Sequence, residues 1–313
     1  MEGKFENLSP SEVALAGASS GLFSRALIQP FDVLKIRFQL QMEPISKHSM
    51  SKYSSLMQAT KMIYKEEGLS AFWKGHVPAQ FLSIVFGLTQ FWCYEMLVFK
   101  FKNTTIGQHH AMTNFICGSV AGTAATFTSF PFDVMRTRLI AQSEDNKVYK
   151  GLLNGYIHIF KHEGIAGYYR GITPTILAVA PNAGCQFMFY KFFDGVYKKI
   201  VIVEKDSYNV TGSMFAGSLA GLASKTLLYP LDITRKRMQL QGFQKYRKKF
   251  GENFICYNMR DCLTRIYVYE GLPGLFKGMS PSIIKALVAS ALNFTTFEMV
   301  CTSLNNLHKV KYE

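Results

Sequence analysis

Acidic residues are scarce in this chain. Its 21 Asp and Glu face 35 Lys and Arg, a net charge of +14 spread along the whole length. That excess suits an anionic partner: nucleic acid, phospholipid headgroups or a small anionic substrate. The six cysteines, at 93, 117, 185, 256, 262 and 301, include no CxxC pair, so neither a zinc site nor a disulfide framework is indicated. The opening residues, MEGKFENLSPSE, hold no apolar h-region and show no secretory signal. No nucleophile–base–acid set and no Walker-type phosphate loop is present, which argues against an enzyme and against a resident cofactor. The string HIFKH at 158–162 places two histidines at i and i+4. It lacks the Glu of HExxH and a third ligand, so it reads as a helix surface, and no metal is expected.

Long stretches with almost no charge are present instead. Residues 78–99 carry one charge, Glu95, and residues 112–132 and 172–190 carry none. Residues 12–30, 210–231 and 279–304 are similar, with one or two charges each. Each is near the roughly 20 residues that cross a bilayer, giving six candidate spans. A hydropathy average over the chain hides them by mixing them with charged loops.

The chain repeats itself. QPFDVLKIR at 29–37, FPFDVMRTR at 130–138 and YPLDITRKR at 229–237 write Pro-x-Asp-x-x-(Lys/Arg)-x-Arg three times, at intervals of 101 and 99. A second motif follows each: EGLSAFWKG at 67–75, EGIAGYYRG at 163–171 and EGLPGLFKG at 270–278. Upstream of the prolines lie Gly17 and Gly21, Gly118 and Gly122, and Gly217 and Gly221, which predict close helix approach. The units run 1–105, 106–205 and 206–313, each read as span, charged loop, span within one integrated domain. Each loop carries a short amphipathic helix, expected on the membrane surface. Its apolar face is Leu56, Ala59, Ile63 and Tyr64 in the first unit, and Leu153, Tyr156, Ile157 and Phe160 in the second. In the third it is Met259, Cys262, Leu263, Ile266 and Tyr267. Six spans put both termini on one side and the basic loops on the other.

A proline inside a span breaks a backbone hydrogen bond and bends the helix. An Asp and a cation three residues apart then share one face, where charges are costly unless paired or wet. With three symmetric copies the arrangement lowest in energy is a ring, each Asp meeting the cation of the next repeat. Asp32, Lys35, Asp133, Arg136, Asp232 and Arg235 would then close one end of a central pathway.

These motifs resemble those of the mitochondrial carrier family, over nearly the whole chain. The resemblance implies an all-α membrane protein: six transmembrane helices in three pseudo-threefold repeats, with three short matrix surface helices, in the inner mitochondrial membrane. It implies transport by alternating access and a monomer with both termini in the intermembrane space. The family braces its matrix gate with a glutamine nine residues after the proline. Gln39 and Gln239 match and Ile140 does not, so two braces are expected. The family's cytosolic ring survives in part: Glu95 and Lys191 are its candidate pair, and Glu298 lacks a cation at the usual spacing. Cardiolipin as a structural lipid is implied at the second motif, whose aromatics Phe72, Trp73, Tyr168, Tyr169 and Phe276 also suit an interface.

The family's substrate contacts fall on Arg25, Thr126 and Lys225, and on Leu82, Ala178 (with Val179 beside it) and Lys285. Arg25, Lys225 and Lys285 are also among the few cations inside the spans. Gln90, Asn182, Gln186 and Asn293 lie further along the even-numbered spans. Cations suit a phosphate or diphosphate, and amides suit a heterocycle. Within the family, SRALIQPFDVLKIRFQLQ, AFWKGHVPAQFLSI, SKTLLYPLD and FKGMSPSIIKA resemble the wording of members that move thiamine pyrophosphate. That implies thiamine pyrophosphate as substrate, exchanged against a nucleotide. A carrier of nucleotides, deoxynucleotides or coenzyme A is the alternative, since the same groups serve it. A proton-leak protein stays open, and a soluble nucleic-acid-binding protein is disfavoured by the apolar spans.

Overall fold

The computed structural model describes residues 10–43, 52–102, 110–142, 147–201, 210–243 and 255–312, which form helices and turns with no strand among them. Each third of the chain gives a long, a short and a long helix. The first has α1 (Pro10–Leu40), α2 (Leu56–Glu67) and α3 (His76–Phe101). The second has α4 (His110–Ala141), α5 (Leu152–Glu163) and α6 (Ile172–Val201), and the third α7 (Val210–Gln239), α8 (Met259–Gly274) and α9 (Met279–Tyr312). The long helices close a ring: α3 lies along α4, α6 along α7, and α9 against α1, while α1, α4 and α7 also touch one another.

Pro30, Pro131 and Pro230 lie inside α1, α4 and α7. A proline frees the carbonyl four residues before it. For Pro30 that is Ala26, and the Trp73 indole N–H donates to it at 3.0 Å. In the first repeat the second motif thus repairs what the first breaks.

Buried ion pairs join the two motifs in every repeat. The last Arg of the first motif meets the Glu of the second: Arg37 grips Glu67 through two bonds of 2.7 Å, and Arg138 grips Glu163 at 2.5 and 2.9 Å. Arg237 likewise holds Glu270 in a two-pronged contact. Each Glu also takes the cation of its own motif, Lys74, Arg170 or Lys277. Burial alone would raise the Glu67 carboxyl, but hydrogen bonds and charge from Arg37, then Lys74, bring it down to about 2.

Helix α5 leaves Leu153, Ile157 and Phe160 of its expected apolar face exposed, the side a membrane surface would cover, and buries Gly155 and Ile159 on the other. A Cβ at position 155 would strike Met135 of α4, so the glycine marks the inward face. Two expectations change. First, the GxxxG glycines mostly do not mediate close packing, since nothing lies within 4 Å of a Cβ built at Gly17, Gly21, Gly118 or Gly221. Gly17, Gly21, Gly118 and Gly122 line cavities, because the helices stand apart there. Second, only Leu69–Phe101 and Thr113–Ala141 are long and apolar enough to span a membrane by length and composition, judged over the described residues. Charged residues lie inside the other long helices, those of the first motif in α1 and α7 and others such as Lys191, Asp194 and Lys285 in α6 and α9, and lower their averages. Even so, every long helix bears exposed large apolar side chains: Phe23, Leu88, Phe127, Phe192, Met214 and Leu287, one on each in turn.

Candidate functional site

Where α1, α4 and α7 meet, the structure joins each motif Asp to the motif cation of the next repeat. Asp32 pairs with Arg136, Asp133 with Arg235 at 2.8 Å, and Asp232 with Lys35 at 2.7 Å. Asp32 and Asp133 are buried, Asp232 less so. Alternate charges from three repeats thus form a closed ring.

The amides divide as the residue types dictate. Gln39 donates to Asp232 at 3.2 Å and to the Tyr229 hydroxyl at 3.1 Å, and that hydroxyl donates to the Lys277 carbonyl at 2.9 Å. Gln239 donates to Asp133, while its own oxygen accepts from Thr137 at 2.6 Å. Ile140, in the third such position, packs in an apolar cluster with Val33 and Ile36. Among the described residues Asp32 therefore has no amide partner; its second partner is Lys285 at 2.5 Å.

Glycines set the ring against the second motif. Gly75, Gly171 and Gly278 have φ of +73°, +84° and +79°. A Cβ on each would meet the backbone oxygen of Arg136, Arg235 or Lys35, at 3.1, 2.9 and 3.0 Å. The loop of one repeat rests on the ring cation of the next, and only glycine allows both the angle and the approach.

Beside the ring lies a cavity of about 570 Å³ whose lining includes Arg25, Lys35, Lys225 and Arg235 against the single carboxylate of Asp232. Leu82, Thr126, Ala178, Val179 and Asn182 complete the predicted part of its wall. A second cavity, of about 750 Å³, shares Thr126, Val179 and Asn182 with it and adds Gln90 and Gln186. A third, of about 600 Å³, is lined by Arg25, Asp32 and Lys285. The volumes suit a small molecule, and four cations to one anion favour a negative one.

The three nominated cations are not equivalent. Arg25 donates to the Ala79 carbonyl, Lys225 donates to the Ser282 carbonyl at 2.9 Å, and Lys285 is committed to the ring through Asp32. Lys285 does not line the cavity that holds Lys225. Thr126 donates to the Gly122 carbonyl within its own helix at 2.7 Å. The side chains of Asn293 and Glu298 fall outside the described residues. Glu95 and Lys191 are exposed and make no ion pair among the described residues, so that expected pair is not brought together. The aromatics of the second motif turn inward in part: Phe72 is buried, Tyr169 stacks on Phe127 at 4.7 Å, and Phe276 on Tyr229 at 6.3 Å.

One ring residue escaped the sequence reading. Lys236 reaches both oxygens of Asp133 at 2.9 Å. Its signal was a break in symmetry: Lys236 stands where the other repeats have Ile36 and Thr137.

The family model described as mitochondrial carrier protein matches residues 6–104, 107–200 and 206–307. The chain is 41% identical over 300 residues to the mitochondrial thiamine pyrophosphate carrier of Homo sapiens, covering 95% of this chain and 93% of that one. It is 36% identical over 311 residues to mitochondrial thiamine diphosphate carrier 1 of Zea mays, covering 92% of each. Against mitochondrial thiamine pyrophosphate carrier 1 of Coccidioides immitis (strain RS) it is 33% identical over 309 residues, covering 95% and 94%. Three tandem matches, together with an ionic ring built from the residues that repeat, place this chain in the mitochondrial carrier family.

Proposed function

We propose that this protein moves thiamine pyrophosphate, or a closely related phosphorylated heterocycle, across the inner mitochondrial membrane by alternating access. The observation that carries the reading is an ionic ring closing one end of a cation-lined cavity. The names of the relatives supply the substrate. All six long helices cross the bilayer, and the apolar side chains exposed on each of them face lipid. Both termini lie in the intermembrane space, α2, α5 and α8 lie on the matrix side, and the protein acts as a monomer with cardiolipin held at the second motifs.

With the ring shut, the cavity opens to the cytosolic side. The diphosphate engages Arg25 and Lys225, and the pyrimidine end meets Asn182, Gln186 and Gln90. Lys285 serves both the ring and the substrate. When it turns to the diphosphate, Asp32 keeps Arg136 alone, and the ring loosens where no amide braces it. Ligand shifts such an equilibrium only by its preference for one state. A nucleotide is the counter-substrate.

Reconstituted liposomes test this. Labelled thiamine pyrophosphate is expected to enter liposomes loaded with thiamine pyrophosphate or a nucleotide, and Lys285→Ala to lose that uptake while remaining folded. If unlabelled nucleotides displace the label far better than thiamine pyrophosphate does, the protein is a nucleotide carrier instead.

A further inference from the structure

The three short helices begin alike in two repeats and differently in the third. Their cap residues are Ser55, Gly151 and Asn258. Two residues before the cap stand Tyr53, Tyr149 and Cys256; four after it stand Ala59, Gly155 and Cys262. All six are buried. In the first two repeats an aromatic ring and a small residue occupy these positions. The tyrosine hydroxyl accepts from the motif arginine, Arg37 at 3.2 Å and Arg138 at 3.3 Å. In the third repeat both positions change together, and both to cysteine.

The two cysteines sit together, buried in one apolar cluster with Ile233 and Ile266. Buried cysteines often serve as small apolar fillers. Filling this space would need only aliphatic groups, whereas two thiols gathered into one cluster across the start of a helix can take part in thiol–disulfide exchange. We propose that Cys256 and Cys262 are a reversible disulfide site at the head of α8.

The chemistry balances with a disulfide oxidant of the glutathione class. The Cys256 thiolate attacks one sulfur of the oxidant, whose bond breaks and releases one thiolate, leaving a mixed disulfide on Cys256. Cys262 loses its proton as its sulfur attacks the Cys256 sulfur, and the second oxidant thiolate leaves. Both leaving groups take up protons. Two cysteines are oxidised to one disulfide, and one oxidant disulfide is reduced to two thiols. Cys256 starts the sequence because it lies in a non-helical segment between exposed Ile255 and Tyr257, where local opening uncovers it. The neighbouring Cys256 thiol, together with burial, holds the Cys262 thiol well above the usual range, so it acts second, with the Arg237 charge easing its ionisation. The bond would tie the approach to α8 onto its first turn, beside Ile233 and hence next to Asp232 of the ring.

The proposal does not depend on which substrate is carried. The purified full-length chain in detergent is treated, while folded, with glutathione disulfide, then alkylated, digested and mapped by mass spectrometry. A linked Cys256–Cys262 peptide is expected, with the thiols titrated after denaturation falling from six to four and dithiothreitol restoring six. Cys256→Ser and Cys262→Ser are each expected to abolish the link. The pair Cys256→Tyr with Cys262→Ala, which copies the other repeats, should fold and ignore the oxidant. Alkylation of both wild-type thiols after treatment, or a mixed disulfide that stays on Cys256, overturns the proposal.

Discussion

At the scale of single residues, the buried motif-to-motif pairs govern stability. Arg37 and Glu67 are 1% and 8% exposed, so removing either charge strands the other in a poorly solvated place. Glu67→Gln is expected to cost about 3–5 kcal/mol of unfolding free energy, as breaking a buried pair does. The same carboxyl gives a pH signature. Its folded pKa of about 2 lies below the ordinary 4.5, so its contribution is complete above 4.5 and is lost as pH falls through 2. Thermal unfolding in detergent across that window should therefore lose stability more steeply for the wild type than for Glu67→Gln. Equal slopes would mean that the pair contributes little.

Among elements, glycines separate what the helices need from what they tolerate. Gly171 has a positive φ and a Cβ there would approach the backbone oxygen of Arg235 at 2.9 Å, an atom that cannot easily give way. Gly171→Ala should destabilise by roughly 1–3 kcal/mol, the scale of a residue held in a disfavoured conformation. Gly221 lies within α7 with open space around it, so Gly221→Ala should stabilise by about 0.5–1 kcal/mol through helix propensity alone. If the helices draw together there when the cavity closes, the same alanine will slow uptake while raising the melting temperature. Opposite signs at the two sites check the placement of both. Sequence reading found the elements and the ring pairs because threefold recurrence fixes partners that no single motif could. It did not find the inward face of α5, since counting apolar residues ignores a glycine that makes room for Met135. It also took Lys285 for the cavity alone. Its contact with Asp32 joins the third repeat to the first and depends on how the ring closes, which spacing along one chain does not encode.

For the molecule as a whole, the question is whether the ring acts by charge complementarity or merely by filling space. The Lys35–Asp232 link decides this best, because it joins the first and last repeats and, among the described residues, pairs Asp232 with one cation, 2.7 Å away, with Gln39 alongside. Lys35→Asp would set two carboxylates face to face, and Asp232→Lys two ammonium groups, so each alone should hold the ring apart. Each should lower uptake by roughly tenfold or more, corresponding to about 1.4 kcal/mol in the barrier. Exchanging both charges restores an attractive pair, and Gln39 serves either sign because its amide both donates and accepts. The double exchange is therefore expected to recover most of the uptake lost by the worse single change, measured in the same liposomes at matched protein content. A double exchange no better than that single change would mean the ring's charges serve as fixed positions in the site, and that opening is controlled elsewhere in the bundle.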